Sequence, residues 1–173
     1  RLKGILDCLL GTASLTAMIF LILIGADLFN AFLAITQMPN QAAAAIAGSG
    51  YSPMTILLLI LLFYVALGCV MDSMSMILIT IPVLFPIVMG LDYGLSHEHT
   101  AIWFGILVLI VVEMGLITPP FGLNVFVINS MAPGVPMSES FRGVMPFLAS
   151  DFIRVGILIT FPFITLGLLR FIE

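Results

Sequence analysis

The sequence predicts an all-α integral membrane protein: a helical bundle containing a re-entrant helical hairpin and a discontinuous transmembrane helix. Three observations predict it. Hydrophobic residues make up 62% of the chain and charged residues only 8%, with mean hydropathy +1.30. Several apolar runs approach or exceed the roughly 20 helical residues that cross a hydrocarbon core about 30 Å thick, and none alternates apolar and polar residues as a barrel strand does. Finally, the apolar run over residues 101–128 is interrupted by EMGLITPPFGLN, residues 113–124. Pro119 and Pro120 each lack an amide donor and clash with the preceding turn, so the helix must break there. Lipid cannot satisfy the backbone groups that a break frees, so such a segment is buried in protein or lines a wet cavity. That makes it a candidate ion or substrate site.

Residues 1–14 carry Arg1, Lys3 and Asp7 and read as an interfacial entry to a first span over residues 15–35. Opening at Arg1 with no signal-peptide cleavage pattern, the sequence reads as a piece of a longer chain. Asp27 falls in mid-span, where an ionised acid costs about 2.5 to 3.5 kcal/mol on insertion scales. It needs a partner helix, a proton or a polar path. Residues 36–53 are uncharged and rich in small and turn-forming types, a connection with a short helix over the alanines.

Two apolar arms, residues 54–70 and 76–89, flank the tip GCVMDSMS, residues 68–75. At 1.5 Å per residue they cover roughly 25 Å and 21 Å, short for two crossings but suited to a hairpin that enters part-way and returns, over residues 54–89 as a whole. Asp72, Ser73 and Ser75 would then meet helix ends at one point, a recipe for holding a small cation or a carboxylate. The alternative is an ordinary tight turn with Asp72 solvated. His97 and His99 in the following loop are a weak metal signal, and Trp103 reads as an interfacial anchor.

In the broken helix, residues 101–128, Glu113 sits one turn before the break and could complete a cation site, carry a proton or pair with an arginine. Thr118 offers a hydroxyl, and Gly115 and Gly122 permit close backbone approach. Residues 131–146 read as a loop and residues 150–169 as the last span, with Ser150 its N-cap, Asp151 at the positive end of its dipole and Arg154 within i,i+3 reach of Asp151. Cys8 and Cys69 suggest neither a disulfide nor a zinc site. The few scattered charges, net -4, give no nucleic-acid surface. No nucleophile with a nearby base and no metal cluster argues for an enzyme. With Arg1 and Lys3 cytoplasmic, Arg142 and Arg154 also fall inside, Asp92 and Glu98 outside, Arg170 on the wrong side, and the hairpin opens outward.

The stretches GCVMDSMSMILITIPVLFPIV and WFGILVLIVVEMGLITPPFGLNVFV, whose tip and break lie about 45 residues apart, resemble the C-terminal half of the large membrane subunit of tripartite ATP-independent periplasmic (TRAP) transporters. The similarity covers nearly the whole chain. It implies a second inverted repeat of an elevator-type, sodium-driven carrier in a bacterial or archaeal cytoplasmic membrane. The implied cargo is an organic anion such as a C4-dicarboxylate or sialic acid. No cofactor beyond the coupling ion Na+ is implied. The implied partners are a small membrane subunit, a periplasmic substrate-binding protein, the N-terminal half of the same permease and the lipid bilayer. By motif, Gly68, Asp72 and Ser73 match the tip, and Gly115, Thr118, Pro119, Pro120, Gly122 and Asn124 match the break, with sodium expected near Asp72, Gly115 and Thr118. Glu113 and Asp27 are further candidates. Val111 and Val112 stand where many relatives carry an asparagine. A proton-coupled carrier of related fold, with Glu113 or Asp27 carrying the proton, and a non-transporting membrane scaffold are the rival readings.

Overall fold

A computed structural model describes residues 2–48, 50–132 and 134–167. Arg1, Arg170 and the expected end of the last span at residue 169 lie outside the described residues. Every regular element among the described residues is helical: α1 (Leu2–Thr36), α2 (Met38–Ala47), α3 (Pro53–Gly68), α4 (Ser73–Met89), α5 (His97–Ile117), α6 (Leu123–Ser130), α7 (Met137–Thr160) and α8 (Phe163–Leu166). Three of them, α1, α5 and α7, are long and apolar enough to cross a membrane, whereas α3 and α4 are apolar but shorter.

Local chemistry sets most of these boundaries. Gln37 adopts a left-handed conformation, φ 53°, and Pro39 follows at the start of α2, so the chain turns there. Ser52, Asp72 and Ser96 N-cap α3, α4 and α5, accepting from the amides of Thr55, Ser75 and His99 at 3.2, 3.1 and 3.2 Å. Each satisfies a donor that the first helical turn leaves free.

The core lies between α3 and α5, with α4 and α7 packed against them. Leu57, Tyr64, Met76, Val88, Phe104 and Leu107 are fully shielded. Thr80 Oγ1 lies 2.7 Å from Met76 O and 2.8 Å from Tyr64 Oη. Since its single proton goes to the carbonyl, Tyr64 donates to Thr80, and the two arms of the hairpin are tied by a polar bond within the core. By contrast α1 exposes apolar residues nearly all round, Leu10, Leu21 and Leu28 among them.

The structure differs from the sequence reading at four places, one being that His97 and His99, expected in a loop, stand in the first turn of α5. Residues 2–14 are not a separate interfacial segment but continue as α1, because nothing in GILDCLLGTAS breaks a helix and the Thr12 hydroxyl donates to Cys8 O at 2.8 Å. The helix carrying Ser150 starts at Met137, so Ser150 is not its N-cap. Pro136 occupies that position, Glu139 lies in the positive first turn, and Pro146 is accommodated inside the helix. Asp151 therefore sits mid-helix, where it still pairs with Arg154 at 2.9 Å.

Trp103, expected as an interfacial anchor, is 1% exposed and its Nε1 donates to Leu158 O at 2.9 Å, bonding α5 to α7. The ring meets Tyr93 edge-on at 5.6 Å. Burial pushes the Tyr93 phenol up to about 12, so it stays neutral. Replacing Trp103 by Phe should remove the bond and leave Leu158 O unpaired, a loss of about 1 to 3 kcal/mol. Thermal unfolding in detergent should show a lower midpoint than for Phe147→Leu, a change on an exposed face. An unchanged midpoint would mean that the Trp103 bond does not hold α5 to α7.

Candidate functional site

The hairpin tip and the helix break meet through bare backbone. Gly68 closes α3 and Gly115 lies in the last turn of α5. A Cβ placed on either glycine would lie 2.8 Å from the Cα of the other, and the Gly68 Cβ would also come within 3.2 Å of Val112 O. Both glycines are buried. Beside them Cys69 Sγ is 3.3 Å from Val65 O and 3.7 Å from Pro119 O, a weak thiol contact from the tip to the break.

The break itself is built by donor loss. Pro119 and Pro120 have no amide to give to the carbonyls of Gly115 and Leu116, which would be their helical acceptors. Thr118 compensates in part. Its amide donates to Gly115 O at 3.0 Å and its hydroxyl to Met114 O at 2.7 Å. No amide exists at position 120 to reach Leu116 O. The Pro119–Pro120 peptide is cis, and the chain re-enters helix at Gly122, φ 48°, ψ 73°. A side chain at Gly122 would be strained by that φ and would meet Phe141 Cε1 at 3.0 Å, so Gly is required twice over.

Of the residues marked by sequence, the fold brings Gly68, Gly115, Thr118 and Pro119 together and puts Pro120 and Gly122 in the same turn. Asp72 and Ser73 stand at the start of α4, where the Asp72 carboxylate accepts from Ser75 N and is exposed. Asn124 is exposed on α6 and Glu113 is exposed on α5. Asp27 is exposed on α1, one turn before Asn30. Sequence reasoning missed Cys69 and the apolar residues Val70, Phe121, Leu123 and Phe126, which with Cys69 line an open recess of about 260 Å³ between tip and break. The position of Cys69 right after the motif glycine was the available signal. Among the described residues no group of three or more His, Cys, Asp or Glu is placed to hold a metal ion.

Helix ends dominate the local field. The C-terminal ends of α3 and α5 converge at Gly68 and Gly115, and neither last turn carries a basic residue. Each such end carries partial negative charge on unsatisfied carbonyls, about half an elementary charge. The chain leaves this point through the N-terminal ends of α4, capped by the Asp72 carboxylate, and of α6, which is positive and has no acidic residue in its first turn. A tip and a break joined in this way, in an apolar all-helical chain, define an integral membrane protein with discontinuous helices, a construction that recurs in ion-coupled carriers.

The relatives agree with that class. Residues 1–164 match the family described as the DctM component of the tripartite ATP-independent periplasmic transporter, and the chain belongs to that family. It is 34% identical to the C4-dicarboxylate TRAP transporter large permease protein DctM of Pseudomonas aeruginosa over 97% of this chain and 38% of that protein. It is 29% identical to the sialic acid TRAP transporter large permease protein SiaM of Vibrio cholerae, covering 95% of this chain and 37% of the relative. It is also 26% identical to the sialic acid TRAP transporter permease protein SiaT of Haemophilus influenzae, covering 93% and 25%. The chain thus spans less than two fifths of the length of these relatives, all of them named as transport proteins.

Gly68→Ala and Gly115→Ala should each force the tip away from the break, because the clashing atoms are backbone and cannot rotate aside; overpacking of this kind costs about 1 to 3 kcal/mol. Gly105→Ala, where a Cβ meets nothing within 4 Å, should be neutral or stabilising by about 0.5 to 1 kcal/mol. Unfolding midpoints of the three variants in the full-length permease test this, and equal behaviour at all three positions would contradict the contact.

Proposed function

We propose that this chain is the second repeat of a sodium-coupled permease that imports organic anions delivered by a periplasmic binding protein. The observation that supports it most is the convergence of two unneutralised helix C-termini at Gly68 and Gly115. Hard monovalent cations favour oxygen ligands, and carbonyls at helix ends and in unwound backbone supply them near the membrane midplane. In this reading Gly115, Leu116 and the Thr118 hydroxyl face a sodium ion from the break and the Gly68 end faces it from the tip, while Asp72 and Ser73 order the first turn of α4.

The hairpin α3–α4 enters the membrane part-way, opens outward and returns, which suits its short arms. Sodium bound between tip and break offsets the negative helix ends and favours closure of the recess. The positive N-terminus of α6, with no acidic residue in its first turn, then favours a carboxylate nearby, and cation and anion stabilise each other where the dielectric is low. The names of the relatives support a cargo among C4-dicarboxylates, sialic acids and similar anions. The first repeat, a small membrane subunit and the substrate-binding protein complete the assembly in the cytoplasmic membrane, and the carrier works by an elevator movement.

Uptake by the full-length permease reconstituted with its binding protein should require sodium. Thr118→Ala removes one oxygen and leaves Met114 O unpaired, and should raise the sodium concentration for half-maximal uptake by about tenfold, equivalent to about 1.4 kcal/mol. Undiminished uptake in sodium-free buffer under a proton gradient would sink sodium coupling in favour of proton coupling. An unchanged sodium dependence in Thr118→Ala would remove Thr118 from the site.

A further inference from the structure

The short helix α6 has little to hold it. Pro119 and Pro120 interrupt the hydrogen-bond ladder of α5, so α6 is joined to α5 only through the turn at residues 118–122 and is free to pivot there unless something else holds it. Val127 and Ile128 are exposed, whereas buried Gly122 and Val125 and half-buried Asn129 form a narrow seam. The first turns of α7 meet that seam at both ends. Ser140 Oγ donates to Asn129 Oδ1 at 2.5 Å. A Cβ on Gly122 would lie 3.0 Å from Phe141 Cε1, so the ring edge fills the space that the glycine leaves. Among the described residues no other hydrogen bond joins α6 to another helix.

Gly122 and Asn129 stand about 10 Å apart along α6 at 1.5 Å per residue. Two contacts at that separation stop a pivot that either alone would allow. The next face round α6 carries Leu123 and Phe126, which with Phe121 from the turn and Cys69 and Val70 from the tip line the open recess of about 260 Å³. Fixing α6 against α7 therefore fixes one wall of that recess. We propose that Ser140 and Phe141 are positioning residues for the ion site: they clasp α6 to α7 and keep the far side of the break in place while sodium binds between break and tip. The role at the ion site rests on the sodium reading given above, whereas the clasp itself does not.

The test is amide hydrogen exchange, read by mass spectrometry, on the full-length permease in detergent. Ser140→Ala should speed exchange of the hydrogen-bonded amides at residues 126–130 about fivefold, the ratio that one net hydrogen bond is worth, and leave residues 56–68 of α3 unchanged. Ser140→Thr keeps the hydroxyl and should exchange like the parent. The probe for the ion site is sodium chloride against choline chloride. Sodium should slow exchange at the tip, residues 69–75, in the parent. Ser140→Ala combined with Phe141→Leu should need about tenfold more sodium for the same protection, as expected when one molecule in ten keeps α6 in place. Unchanged exchange of α6 in Ser140→Ala overturns the clasp. Faster exchange of α6 with the parent's sodium response in the double variant overturns the role at the ion site. No sodium protection in the parent sinks the sodium reading and that role with it, while the clasp is still judged by the exchange of α6 without sodium.

Discussion

The structure depends on one constraint: two helices must approach backbone to backbone where α3 ends and α5 is about to break. Only glycine on both sides allows this, because a Cβ on either would lie 2.8 Å from the Cα of the other. Once Gly68 and Gly115 touch, the α3 and α5 axes are fixed relative to each other, and the side chains above the contact, Tyr64, Leu57, Phe104 and Leu107, fill the space between them. The hairpin tip is then held against the break without any side-chain ligand, and Cys69 reaches Pro119 O because its neighbour already sits against α5. Small residues at helix crossings are the usual means of close packing where lipid removes the hydrophobic drive between helices.

Much of this was legible in the sequence, and for a physical reason. A break at Pro119 and Pro120 is a local property of the proline ring, and the turn at residues 69–72 lies in the tip GCVMDSMS that separates two apolar arms. Asp72 followed by Ser75 is likewise a local N-cap pattern, so the carboxylate's bond to Ser75 N could have been anticipated ahead of any ion role. What the sequence did not reveal was tertiary. Nothing in the local pattern says that Gly68 meets Gly115 rather than lipid, or that Trp103, which looks like an interfacial anchor, finds Leu158 O on α7. The helical start of α7 at Met137 was hidden by Pro146, because a proline that reads as loop punctuation in water is tolerated inside a membrane helix whose neighbours satisfy the freed groups.

The uneven distribution of burial has the same origin. In water the exposed Leu, Ile and Phe residues of α1 and α7 would be a severe liability, since a soluble monomer rarely shows apolar patches beyond a few hundred Å². In a bilayer such surfaces need no covering by this chain. The contacts that this chain must make for itself are those that lipid cannot supply: Tyr64 to Thr80, Trp103 to Leu158 O and Thr118 to Met114 O. Each sits on one of the helices that frame the tip or the break. The long outer helices carry mainly local bonds, such as Thr12 to Cys8 O, Thr160 to Gly156 O and the Arg154–Asp151 pair.

A carrier of opposite charges needs attraction for both without a fixed side-chain charge strong enough to trap either. Helix ends meet that need. A buried lysine or aspartate would hold a counter-ion with an energy that rises steeply as the dielectric falls, and its own desolvation would oppose burial. On the proposed reading, half-charges spread over several carbonyls attract a cation at the α3 and α5 ends, and the amides at the start of α6 attract an anion, each weakly enough to leave. The chain reversals at residues 69–72 and 118–122 place a helix C-terminus and a helix N-terminus only a few residues apart, twice, at one contact. On the proposed reading, that is why a hairpin and a broken helix occur together: each supplies one negative end, and neither alone would present a pair of like ends to a shared ion.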